Sequence, residues 1–144
     1  MSKERTQAIR YEINDNFLKF WFRYYDKNQS IVEIRNFVIL RQIIESDYPT
    51  FSGLMLERYF RLKMIESHQY SAIGSWWKRK KGKEANEIDI IGIRAEGKKA
   101  LVAEVKRQRR NYDHKLFTEK VEHLKNAILS NYDIETCLWT MEDM

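Results

Sequence analysis

The chain has 144 residues and a net charge of +5, with 43% hydrophobic and 33% charged residues. This is a globular composition with enough apolar mass for a core, which excludes a wholly disordered chain. No stretch approaches the ~18 uninterrupted apolar residues of a membrane span, and the basic balance favours polyanionic partners.

The first ten residues are polar and carry no apolar segment of the kind a secretory signal needs. From Tyr11 to Tyr25 aromatic residues crowd together. Asn14 or Asp15 can cap a helix that begins near Asn16. Phe17, Phe20, Trp21 and Tyr24 follow i, i+3, i+4, i+7 spacing, so one aromatic face is expected to pack on the core. Asp26-Lys27-Asn28-Gln29-Ser30 reads as a turn, and Asn28 or Ser30 can cap a helix over 31–46 with Ile34, Val38 and Ile44 inside. Asp47-Tyr48-Pro49-Thr50 is expected to break it, because proline removes a donor and clashes with the preceding turn. A further helix is expected over 52–67. Glu57 lies in its middle among Leu54, Leu56, Phe60 and Leu62. Either it pairs with Arg61 one turn on or contacts Arg58 on the solvated face, or it is an acid aimed at a site.

Residues 69–77 read as a strand, with Tyr70, Ile73, Trp76 and Trp77. The basic run Lys78, Arg79, Lys80, Lys81 and Lys83 reads as a loop. It is either a solvated connection or, beside two tryptophans, a surface for a phosphate backbone with some stacking. Next come two apolar arms, 86–94 and 99–106, separated by Glu96-Gly97: a β-hairpin. A loop of two or four residues centred there puts Asp89 opposite Glu104 and Glu87 opposite Lys106. Side-chain alternation then places Glu87, Asp89, Glu104 and Lys106 on one face, and Ile88, Ile90, Leu101, Ala103 and Val105 on the core face. Two carboxylates facing each other across a strand pair repel, so a cation is expected between them. Lys106 is one candidate and a divalent metal with oxygen ligands is the other; a solvated face with a Glu87–Lys106 pair is the structural alternative.

Arg107, Arg109 and Arg110 form a second basic patch. A helix follows from Tyr112 or Asp113 to about 130, with Leu116, Phe117, Lys120, Val121, Leu124, Ile128 and Leu129 in register. His114 and His123 do not share its face, so no histidine metal site is expected. A last strand covers 134–141. It contains Cys137, the single cysteine, read as a buried small hydrophobe. With no disulfide available within the chain, a reducing, cytoplasmic setting is expected. The helix between the third and fourth strands implies a crossover and a mixed sheet.

An acid on a helix, Asp89 on a strand, Glu104-Val105-Lys106 on the next, then a helix and a strand: this order resembles the PD-(D/E)XK nuclease core, the restriction-endonuclease-like fold. Tyr11-Glu12-Ile13-Asn14-Asp15-Asn16-Phe17-Leu18-Lys19-Phe20-Trp21-Phe22-Arg23 is further similar to the segment that joins the ATPase and winged-helix part of uncharacterised archaeal-type ATPases to their C-terminal domain. Phe51-Ser52-Gly53-Leu54-Met55-Leu56-Glu57 and Glu87-Ile88-Asp89-Ile90 resemble that C-terminal domain, itself of the PD-(D/E)XK type. Ile88 stands where the signature usually has proline. The resemblance implies an α/β restriction-endonuclease-like core over 51–144 with a helical extension over 1–50. It implies Asp89, Glu104, Glu57 and the Val105 carbonyl as ligands of Mg²⁺ or Mn²⁺, Lys106 as a catalytic lysine and Glu87 as an outer partner. The expected activity is a Mg²⁺-dependent endonuclease appended to an ATPase, with DNA the favoured substrate. There is no Walker motif, so no ATP site is expected in this chain. A catalytically silent module for DNA binding or ATPase docking is the alternative, and a structural or self-associating domain built on the aromatic helices is the third class.

Overall fold

Asp15 starts the first helix by accepting the Leu18 N–H at 2.8 Å. The structure, a computed structural model, describes residues 13–80 and 83–144, without the side chains of 78–80 and 83–86. Helix α1 (Asn16–Phe20) runs directly into a π-turn, Trp21–Tyr25, then a 3₁₀ turn, Asp26–Asn28, and α2 (Gln29–Glu33). The wider π-turn rotates later residues off the face set by earlier ones. Tyr24 is buried, but Phe17 is 68% exposed and Trp21 44%. The expected single aromatic face therefore does not pack as a unit.

Helix α3 (Phe37–Glu66) is one element of 30 residues and carries Pro49 within it. The expected break at Asp47-Tyr48-Pro49-Thr50 does not occur. An internal proline costs about 3 kcal/mol, and the helix continues through it nonetheless. The Asp47 carboxylate, which could have capped a new helix, instead accepts Arg23 Nη2 at 2.8 Å and the Tyr24 hydroxyl at 2.7 Å. The Arg23 and Tyr24 hydrogen bonds hold its pKa down at about 2. After the proline, Phe51, Leu56, Phe60 and Met64 are buried. Ile34 and Val38, expected inside, are 73% and 70% exposed, and Leu40 is buried in their place. The chain divides into two compact units between Tyr48 and Pro49, within α3.

The second unit is a four-stranded mixed sheet in the order β1-β2-β3-β4, built from Tyr70–Lys80, Lys83–Arg94, Lys99–Val105 and Asp133–Trp139. The first three strands are antiparallel, and β3 pairs β4 in parallel through α4 (His114–Ile128). The crossover and the mixed sheet are as the sequence order requires. Leu56, Phe60 and Met64 of α3, one turn apart, cover one sheet face with Ile90, Leu101, Ala103 and Val105. Phe117, Leu124 and Leu129 cover the other with Ile91, Ala100 and Val102. Phe60 stacks on Trp139 with ring centroids 4.9 Å apart. Leu54, Leu62 and Ile65 stay exposed. Asp113 caps α4 by accepting the Leu116 N–H at 3.0 Å. Cys137 packs against the α3-side core, and burial pushes its thiol up to about 12.

The β2–β3 turn has Gly97 at φ 73, a left-handed backbone that favours glycine. Its four residues set the expected register, with Ile90 opposite Ala103 and Gly92 opposite Leu101. Gly92 is also required for space: a Cβ there would lie 2.7 Å from the Tyr70 ring and collide with Met64 Cε. The basic stretch is not simply a loop. The backbone of 78–80 continues β1, and β2 begins at Lys83. The side chains of Lys78, Arg79, Lys80, Lys81 and Lys83 lie outside the described residues.

The β1–β2 register shifts at three places, and the shift between Gly74 and Trp76 lies at the acids. Gly74 pairs with Ile91 and Trp76 with Ile88, so Asp89 and Ile90 together oppose Ser75 alone. This is a β-bulge on β2. It reverses the phase, and Ile88 packs with Ile91, Val102 and Phe117 instead of with Ile90, Leu101 and Val105 as alternation predicts.

Candidate functional site

The bulge gives Asp89 its position. Strands β2 and β3 pair from Ile93/Ala100 only as far as Ile90/Ala103. Past that point the Asp89 carboxylate takes over and accepts the Val105 N–H through Oδ2 at 2.8 Å. The Asp89 carbonyl, freed from the ladder by the extra residue, accepts Arg61 Nη2 from α3 at 2.9 Å. Arg61 therefore serves the bulge and is not committed to Glu57, the partner expected from i, i+4 spacing. Burial raises the Asp89 pKa; the Val105 hydrogen bond lowers it, and the Glu104 charge raises it further.

Glu104 sits on β3 beside it, 4% exposed. Two ammonium groups meet at its Oε1: Lys106 Nζ at 2.8 Å and Lys120 Nζ at 3.3 Å. Its Oε2 is buried and accepts no hydrogen bond from the described residues. Lys106 Nζ also lies 3.9 Å from Asp89 Oδ2. Burial works against the Lys106 charge, but the Glu104 hydrogen bond and the charges of Glu104, Asp89 and Glu57 outweigh it and raise its pKa. Lys106, one of the two cations expected there, thus lies between the two acids.

Glu57 lies on α3. Its carboxyl is pushed up to about 7, first by burial and then by the charges of Asp89 and Glu87, with Arg61 and Lys106 acting in the other direction. Glu57 therefore belongs to the same electrostatic neighbourhood. Among the described residues, however, no three His, Cys, Asp or Glu side chains are close enough to hold a metal ion. Glu87 is exposed and pairs across β1 with Trp77. The ladder stops short of the Glu87–Lys106 pairing, and the lysine turns to Glu104 and Asp89. Arg109 and Arg110 follow in an exposed 3₁₀ turn, with Arg107 half-buried before it.

Lys120, which helical register alone assigns to the core face of α4, is a site residue. The available signal was a lysine three residues after Phe117 and four before Leu124, both buried, on the face of α4 that meets the sheet. A charged group there needs a buried counter-charge. A cavity of about 510 Å³, lined by His68, Gln69, Arg94, Lys99 and Glu135, opens at the opposite end of β2 and β3. Its Arg94 is held by Gln69 at 2.7 Å and Glu135 at 3.2 Å.

Among the described residues no helix is long and apolar enough to cross a membrane. The chain is 36% identical over 109 residues to an uncharacterised protein of Methanocaldococcus jannaschii, MJECL04; the alignment takes in 71% of this chain and 23% of that protein. No solved structure matches it. The model of the DUF234 family, described as archaea bacterial proteins of unknown function, matches residues 21–124, a span that contains Glu57, Asp89, Glu104, Lys106 and Lys120, and the chain belongs to that family.

Proposed function

We propose that residues 51–144 form a nuclease domain of the PD-(D/E)XK type that hydrolyses nucleic-acid phosphodiesters with a divalent cation, DNA being the favoured substrate. The observation that carries this reading is Glu104. One oxygen of a carboxylate 4% exposed is held by two lysines, and the other is buried with no donor among the described residues. A buried acceptor without a partner costs free energy, and a hard cation is a partner that fits it. The order of elements also supports the reading: helix acid, bulged strand with Asp89, Glu-x-Lys strand, crossover helix.

Asp89 and Glu104 would hold Mg²⁺ or Mn²⁺, with the Val105 carbonyl as a further ligand and Glu57 holding a water at its edge. Two carboxylates suffice for Mg²⁺, which keeps several waters and takes phosphate oxygens. Bound there, the cation would neutralise charge building on the phosphoryl group and acidify a water. Lys106, already between the two acids, orients the attacking water or donates to the phosphoryl oxygens. Arg107, Arg109 and Arg110 lie next along the chain and would hold the phosphate backbone without reading sequence. Lys78, Arg79, Lys80, Lys81 and Lys83 enter this reading through the sequence alone. So does a partner ATPase domain or subunit.

The test is nicking of supercoiled DNA by wild type, Asp89→Ala and Lys106→Ala, each with Mg²⁺, Mn²⁺ or EDTA. Cleavage by wild type alone, abolished by EDTA, supports the reading. Equal cleavage by all three, or none by wild type, refutes it. One observation favours a second reading: two lysines already balance the charges of Asp89 and Glu104 without metal. A silent module would bind DNA equally with and without the cation and leave it intact.

A further inference from the structure

We infer that Lys120 is a positioning residue for the proposed reaction: it carries the Glu104 charge from α4 and so frees Lys106 to leave Glu104 for the attacking water or the phosphate. The inference rests on the nuclease reading for its catalytic part and on geometry for the rest. Lys106 and Lys120 both meet Oε1 of Glu104, at 2.8 and 3.3 Å. Two ammonium groups on one oxygen repel each other, and one suffices to balance one carboxylate.

The two lysines are not equivalent. The Lys120 side chain is 15% exposed and rises from α4 between two buried residues, Phe117 and Leu124. The Lys106 side chain is 32% exposed and follows the last residue of β3. The amine with more access to solvent is the one able to leave, and its exit stays beside Asp89 Oδ2, 3.9 Å away. Glu104, almost fully buried, then still needs a counter-charge. Lys120 supplies it from a stem fixed by the core, and Glu104 Oε2 keeps its orientation.

The experiment has two arms. Thermal unfolding in EDTA compares wild type, Lys106→Met, Lys120→Met and the double variant, each also in a Glu104→Gln background. Either single variant leaves Glu104 one partner and lowers Tm by a few degrees. The double leaves a buried unpaired carboxylate and lowers Tm by about 10 °C or more beyond the sum. With Glu104→Gln the two losses simply add. A double variant that folds only in the Glu104→Gln background gives the same support. Additive losses in both backgrounds overturn the inference.

The second arm is Mn²⁺-dependent cleavage. Lys120→Met lowers kcat about 10-fold or more with KM within about 2-fold, and Lys120→Arg restores most of it. Wild-type kcat in Lys120→Met overturns the inference. No cleavage by wild type overturns the nuclease reading and the catalytic role together, and the unfolding arm still decides whether Lys120 carries the Glu104 charge.

Discussion

Glu57→Gln tests the electrostatics of the site without any substrate. The Glu57 carboxyl rises from 4.5 to about 7 because it is desolvated and faces the charges of Asp89 and Glu87. A carboxyl with a raised folded-state pKa favours the fold when protonated. Its contribution is complete below pH 4.5 and is lost as pH rises through about 7. The rise corresponds to an upper bound of roughly 3 kcal/mol, since one pKa unit is 1.36 kcal/mol. Gln keeps the shape and cannot ionise. In EDTA, the wild-type urea midpoint should therefore fall between pH 4.5 and 8, relative to Glu57→Gln, by at most about 1–3 M for a slope of ~3–1 kcal/mol per molar urea. Millimolar Mn²⁺ should flatten the wild-type slope, because a cation at Asp89 and Glu104 favours the ionised carboxyl. Midpoints that fall in parallel in the two proteins would refute the placement of Glu57 beside these acids.

Arg61→Met removes the donor to the Asp89 carbonyl and should cost about 1–3 kcal/mol, the penalty of an orphaned polar group; urea unfolding reads it, and faster amide exchange at Val105 would show the bulge loosening. Asp113→Ala removes the cap on the Leu116 N–H and should cost about 1 kcal/mol in the same assay. Gly92→Ala drives a Cβ against Met64 and the Tyr70 ring and should cost about 1–3 kcal/mol; a wild-type midpoint would mean that Met64 and Tyr70 move aside freely.

The sheet was legible because its signals are local and agree. Glu96-Gly97 set the register, and the helix between Lys106 and Ile134 forced the parallel pair. The hairpin register brings Asp89 and Glu104 to the same end of the strand pair, but the ladder stops before they pair, and the bulge sets the Asp89 carboxylate against the Val105 N–H. Three features were not legible. The bulge at Asp89–Ile90 depends on how β1 pairs with β2, and no pattern within β2 encodes it; Ile88 went to the opposite face for that reason. Pro49 reads as a break to any local rule, yet α3 runs through it, with Asp47 engaged by Arg23 and Tyr24 rather than capping a new helix. Lys120 looked like a helix-register position because its counter-charge lies on β3, 16 residues away in sequence. In each case the deciding interaction is long-range, whereas periodicity and capping report only neighbours.

The most direct test of the central claim is calorimetric titration of Mn²⁺ into the metal-free protein and into Glu104→Ala. The account predicts one cation bound per wild-type chain at the Asp89–Glu104 pair and none by the variant. Uptake of no Mn²⁺ by the wild type, or equal uptake by both proteins, would contradict it.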